Sequence, residues 1–125
     1  MTETTVRGAR VVEIARGFLG TPYHHQASRR GAGCDCLGLV RGVWRELYGE
    51  DAADPPAYSR DWADARGEET LLGAAGTWLV PAPIEAVQPG DVLVFRYRVG
   101  IPAKHCAIVS GEASMIHALE RAGVV

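Results

Sequence analysis

The chain carries three cysteines and four histidines, and one cysteine stands where a thiol is able to become a nucleophile. In Gly33-Cys34-Asp35-Cys36-Leu37-Gly38-Leu39-Val40 a glycine-bearing loop gives way to an apolar run with helical spacing. Asp35 is placed to cap that helix, which puts Cys36 at its first position. There the unpaired backbone N–H groups and the positive end of the helix dipole favour thiolate over thiol. A thiolate nucleophile needs a base to hold its proton and return it to the leaving group, and the base needs an orienting partner. Histidine suits the task because its pKa lies near neutrality.

The histidines fall in two groups: His24 and His25 precede the cysteine in a loop, whereas His105 and His117 lie on segments that read as strands. With two-residue alternation His105 shares a face with Ala107 and Val109, and His117 with Met115 and Leu119. Adjacent antiparallel strands would therefore set both imidazoles side by side, facing the start of the Cys36 helix. Each residue alone also has an ordinary explanation. Free cysteine is among the most buried residue types, His117 reads equally as a polar group satisfied within a sheet, and Pro89-Gly90-Asp91 as a plain turn. Cys34 and Cys106 read as bystanders. A metal site built from Cys34, Cys36, His105 and Cys106 is the weaker alternative, since the tight C-x-C spacing is not that of a structural zinc hairpin. Neither metal nor cofactor is expected.

These residues need elements to hold them. Val11, Ile14, Ala15 and Phe18 repeat at helical spacing and predict a first helix from about Thr5 to Leu19, closed by Gly20-Thr21-Pro22-Tyr23. His24 to Gly33 lacks periodicity and reads as a mobile loop. Val40, Val43, Trp44 and Leu47 extend the Cys36 helix to Tyr48, with Gly49 as its stop. Gly38 within it costs about 1 kcal/mol against alanine, which implies a neighbour in close approach. Asp51 to Pro56 reads as a polar loop, Tyr58 to Trp62 as the start of a short helix, and Glu68 to Leu79 as a further helix ended by Pro81 and Pro83. After Gln88-Pro89-Gly90-Asp91 the period turns strand-like: Val92–Arg98, His105–Ser110, Ser114–Leu119, and the start of a fourth strand at Ala122–Val125. Helices first and strands last predict an α+β domain, N-terminal helices packed on a C-terminal antiparallel sheet.

Composition excludes several classes. The 125 residues make one domain, 1–125, with 47% hydrophobic and 22% charged residues. A formal charge of -2 offers no basic excess, so nucleic acid is not an expected partner. No apolar run approaches the roughly 18 residues of a membrane span, so membrane insertion is not expected. Met1 to Glu13 lacks a signal-peptide apolar core, which predicts synthesis in a cytoplasm without its own export signal. The odd cysteine count and the adjacency of Cys34 and Cys36 argue against a disulfide scaffold.

Five ordered blocks, Gly20-Thr21-Pro22-Tyr23, Asp35-Cys36-Leu37-Gly38-Leu39-Val40, Pro89-Gly90-Asp91-Val92-Leu93-Val94-Phe95, His105-Cys106-Ala107-Ile108-Val109 and Met115-Ile116-His117-Ala118, resemble the landmarks of the NlpC/P60 cell-wall cysteine peptidases. The resemblance is greatest to the signal-less branch of phage and gene-transfer-agent tails. It implies a papain-like fold and hydrolysis of amide bonds in peptidoglycan stem peptides, commonly between D-glutamate and a diamino acid. It assigns Cys36 as nucleophile, His105 as base and His117 as the residue orienting His105, with Tyr23 and Asp35 at the oxyanion or substrate. It further implies tail hub or baseplate proteins as partners and action in a recipient's periplasm. A tail component that keeps the fold but binds without cutting is the alternative.

Three departures stand out. Leu37 replaces the usual serine, His24-His25-Gln26-Ala27-Ser28-Arg29-Arg30 replaces the usual loop, and the sequence stops at Val125 where the family continues with more sheet. If that end is natural, a partner is expected to complete the sheet edge.

Overall fold

The computed structural model describes residues 3–50 and 70–125; the loop expected at Asp51–Pro56, the short helix at Tyr58–Trp62, and Glu68 and Glu69 lie outside the described residues. Helix α1 (Glu3–Arg16) leads to a two-stranded hairpin, β1 (Ser28–Arg29) and β2 (Gly33–Cys34), and then to α2 (Cys36–Tyr48). Helix α3 (Thr70–Trp78) and a 3-10 turn at Ile84–Ala86 precede the sheet strands β3 (Val92–Phe95), β4 (His105–Gly111) and β5 (Ser114–Ile116). The sheet is antiparallel in the order β3-β4-β5. Helices thus come before an antiparallel sheet, the α+β arrangement expected from the change of period.

Ile14, Ala15 and Phe18 from the α1 segment meet Leu39 and Val43 of α2 and Ile108 and Ile116 of the sheet in one buried cluster. Phe18 is placed by a turn after α1, which ends at Arg16 because the chain tightens there, Gly17 N bonding Ile14 O and Phe18 N bonding Ala15 O. Along β4 every residue from His105 to Val109 is buried, as befits a central strand covered on both faces.

Two contacts draw the layers together at glycine. A Cβ on Gly38 would stand 1.8 Å from the Ala27 carbonyl oxygen, so the hairpin segment lies directly on α2 and the expected close neighbour is found. Gly90, at φ +95, sits backbone to backbone on Gly8 of α1, where a Cβ would meet Gly8 Cα at 2.4 Å. That contact fixes the turn that launches β3.

The outer strands are shorter than their period suggests, whereas β4 runs one residue past the expected Ser110. β3 ends at Phe95, opposite His105 where its partner begins, and β5 ends at Ile116, opposite Ile108. The expected fourth strand is reduced to single bridges, Leu119↔Val124 and Pro22↔Val124. Backbone bonds from Tyr23 N to Gly123 O (2.8 Å) and from Val125 N to Thr21 O (2.9 Å) fold this last segment onto the loop before the hairpin.

Candidate active site

Asp35 determines where α2 starts. It holds extended backbone at φ -103, ψ -172, and its Oδ1 accepts from Gly38 N at 2.8 Å, as a helix N-cap does. Its Oδ2 accepts from Gln26 N at 2.7 Å, and the His25 ring stands 3.9 Å away. One buried carboxylate therefore caps the helix and clips the preceding loop to it. That loop carries the β1–β2 ladder and a bond from Gly31 N to Thr21 Oγ1 at 2.9 Å, so the expectation of an unstructured mobile loop is corrected. Tyr23 bridges Cys34 through its backbone and packs half-buried against the core.

Cys36 follows as the first residue of α2, partly exposed, its N–H among those a helix start leaves without a helical partner. Across from it runs the head of β4, and Cys36 Sγ lies 3.9 Å from the Lys104 carbonyl oxygen. His105 is 7% exposed and stacks on Phe95 and Tyr97, with ring centroids 5.8 and 6.2 Å apart. Its Nε2 is 2.9 Å from His117 Nδ1. His105 is also close enough to Cys36 to be among the groups that lower its thiol. His117 lies one residue past β5, diagonal to His105 in the register, so the strands bring the two rings together as their alternation predicts.

The sequence reading missed one participant. Cys106 is 2% exposed, and its thiol donates to the Cys36 carbonyl oxygen at 3.2 Å. The neighbouring Cys106 is the largest influence lowering the Cys36 thiol from its ordinary 9.0 to about 5. Burial opposes that shift, and the hydrogen bond and charge of His105 add to it. The pair carries a single negative charge: the bond to Cys36, then burial, push Cys106 well above the ordinary thiol value. Cys34, wholly buried on the second strand of the hairpin, is raised to about 11, chiefly by burial and then by Asp35 and Cys36. Burial and then the neighbouring His105 lower His117, which keeps it neutral and able to accept a hydrogen bond. With His117 accepting, His105 donates through Nε2, which lines up Cys36, His105 and His117 as a Cys–His–His arrangement. Among the described residues no group of three or more His, Cys, Asp or Glu is arranged to hold a metal ion. No helix there is long and apolar enough to cross a membrane.

A model of the NlpC/P60 family matches residues 20–125, a range that contains Tyr23, Asp35, Cys36, His105 and His117. This chain belongs to the NlpC/P60 family. The NlpC/P60 domain is 30% identical over 110 residues to a gamma-DL-glutamyl hydrolase of Bacillus subtilis (strain 168); the match covers 86% of this chain and 22% of that protein. The domain thus spans less than a quarter of its relative. Among solved structures it resembles the NlpC/p60 domain of the peptidoglycan hydrolase SagA, at TM-score 0.67 and 23% identity, with 94% of this chain and 84% of that one covered. NlpC1 from Trichomonas vaginalis aligns at TM-score 0.65 and 21% identity over 94% of this chain and 37% of that one. These likenesses establish for the NlpC/P60 domain the α+β class that its residues predict and the papain-like fold that the resemblance implies.

Proposed function

We propose that this NlpC/P60 domain is a cysteine peptidase that hydrolyses an amide bond in peptidoglycan stem peptides. The observation carrying the reading is the Cys36 thiol at the start of α2, beside a His105 imidazole that helps to lower it and whose Nε2 is held 2.9 Å from a second imidazole. Cys36 reacts as the thiolate, and His105 carries the proton through the steps that follow. The thiolate attacks the scissile carbonyl carbon, and the oxygen that becomes negative is met by the Cys36 N–H at the helix start, the kind of contact whose removal elsewhere costs about 3 kcal/mol. His105 gives its proton to the departing amine as the C–N bond breaks. It then takes a proton from water as the oxygen of that water attacks the thioester, and returns the proton to sulfur as the acid product leaves. His117 keeps His105 aligned through both transfers; being neutral, it orients without supplying the charge a carboxylate would.

The name of the Bacillus subtilis relative, a gamma-DL-glutamyl hydrolase, supports a bond on the γ-carboxyl of glutamate, as the D-glutamyl–diamino acid bond is. The resemblance of the sequence to the tail-borne branch of the family supports deployment by a phage-like tail, bound to hub or baseplate proteins and acting in a recipient's periplasm. Measuring free amines released from purified peptidoglycan by the wild type and by Cys36→Ala tests the chemistry: release is expected from the first and not from the second, and equal release overturns the assignment. Finding the protein by mass spectrometry in purified tail particles tests the setting, and its absence from them overturns that part alone.

A further inference from the structure

From Val92 to Ser110, through β3, the β3–β4 connection and β4, the chain holds Arg96, Arg98 and Lys104 and no Asp or Glu. Backbone and side chain both shape that connection: Arg96 Nη1 donates to the Ile101 carbonyl oxygen at 2.9 Å, and Lys104 N donates to Phe95 O at 3.1 Å. It carries Tyr97 onto the base, with ring centroids 6.2 Å apart and planes 27° from parallel. His105 is 7% exposed, yet the Tyr97 that stacks on it is 60% exposed, which leaves much of this ring open to a ligand. Lys104 then holds its ammonium 5.5 Å from the Tyr97 ring centroid, within cation–π reach. The carbonyl oxygen of the same lysine lies 3.9 Å from Cys36 Sγ. Tyr97 and Lys104 therefore border the nucleophile and the base together.

In the peptidase chemistry, on which this assignment rests, His105 hands its proton to the departing amine. The amine-side half of the substrate must then lie within reach of His105 and against whatever borders it. We propose that Tyr97 and Lys104 are specificity residues for that half of the substrate, selecting a departing residue that bears a carboxylate. The lysine stem is flexible, and the Tyr97 face gives its charge a fixed place. An ammonium carries three N–H donors, so a ring contact and a carboxylate are compatible. Arg96 and Arg98 add to the positive field of the rim, while Glu120 and Arg121 act on the Tyr97 hydroxyl in opposite senses. A diamino acid joined through one of its amines meets the requirement: its carboxyl group stays charged and leaves with the amine.

The test compares kcat/KM for two synthetic forms of γ-D-glutamyl-diaminopimelate, one with the carboxyl groups of the departing residue free and one with them amidated. The wild type is expected to favour the free acid by about three- to tenfold, as one ion pair at a half-open site allows, and by less in about 1 M NaCl. Lys104→Met is expected to bring that ratio close to one, and Lys104→Arg to keep it. Tyr97→Leu is expected to cut the ratio and Tyr97→Phe to keep it, because the ring and not the hydroxyl holds the ammonium. A merely structural role would slow both peptides alike and leave the ratio where it was, and that result overturns the inference. So does a wild-type ratio of one, or a failure to cut either peptide while amines are still released from peptidoglycan. Those three outcomes spare the peptidase reading. No release from either peptide or from peptidoglycan overturns both.

Discussion

Asp35 offers the sharpest quantitative check on how this site is built. Its carboxylate is 2% exposed and binds two backbone donors on different segments, Gly38 N at 2.8 Å and Gln26 N at 2.7 Å. Replacing it by alanine removes an N-cap, worth about 1 kcal/mol. The substitution also leaves the Gln26 N–H without a charged acceptor, worth about 1.5–3 kcal/mol. The expected total is about 2.5–4 kcal/mol, a large share of the 5–15 kcal/mol typical of a domain. Asparagine should fall between: its amide oxygen still caps Gly38, but its NH2 then confronts the Gln26 N–H, donor against donor, so only the second cost remains. Urea unfolding of the three proteins at pH 7 measures this, with the slope checked for constancy. The expected order of stability is wild type, Asp35→Asn, Asp35→Ala. If alanine costs less than about 1 kcal/mol, or asparagine costs as much as alanine, the double role assigned to the carboxylate is wrong.

Two further outcomes follow from the same geometry. His117→Ala should lower kcat by about 10- to 100-fold with KM little changed, since it removes orientation of the base and no substrate contact; an equal rise in KM would argue that His117 binds substrate instead. Because the folded Cys36 thiol is lowered to about 5 from 9.0, the unfolded state binds the extra proton between those values, and stability should rise with pH across that window and be lost as pH falls through about 5. Urea midpoints at intervals from pH 5 to 8.5 should climb in the wild type and climb less in Cys36→Ser; parallel slopes would refute the assignment of the charge to Cys36.

The parts of the site that rest on local rules were legible in the residues. Asp35, the helix through Val43, Gly49 in left-handed backbone at φ 85, and a crowded Gly38 all follow from capping, periodicity and glycine's missing side chain. His105 and His117 were legible because alternation survives any strand length. The hairpin between His24 and Gly33 was not, since two-residue strands have no period to read and the clip comes from a carboxylate nine residues beyond Gln26. Strand ends at Phe95 and Ile116 depend on where the partner strand begins or turns, which composition does not record. Cys106 was passed over because its meaning lies in a contact seventy residues away. A signal was nonetheless present, for it shares alternation parity with Ile108, the position that packs beneath α2.

The folding-back of the last residues bears on how this protein is handled. Val125 N bonds Thr21 O, Gly123 O receives Tyr23 N, and Tyr23 in turn bridges Cys34, two residues before the nucleophile. Whatever is joined after Val125, a purification tag or further polypeptide, leaves the domain beside this seam. Tension or crowding there reaches Cys36 through two backbone contacts. A handle fused at that point is expected to act on the active site through this seam, and comparing the activities of differently tagged preparations checks it.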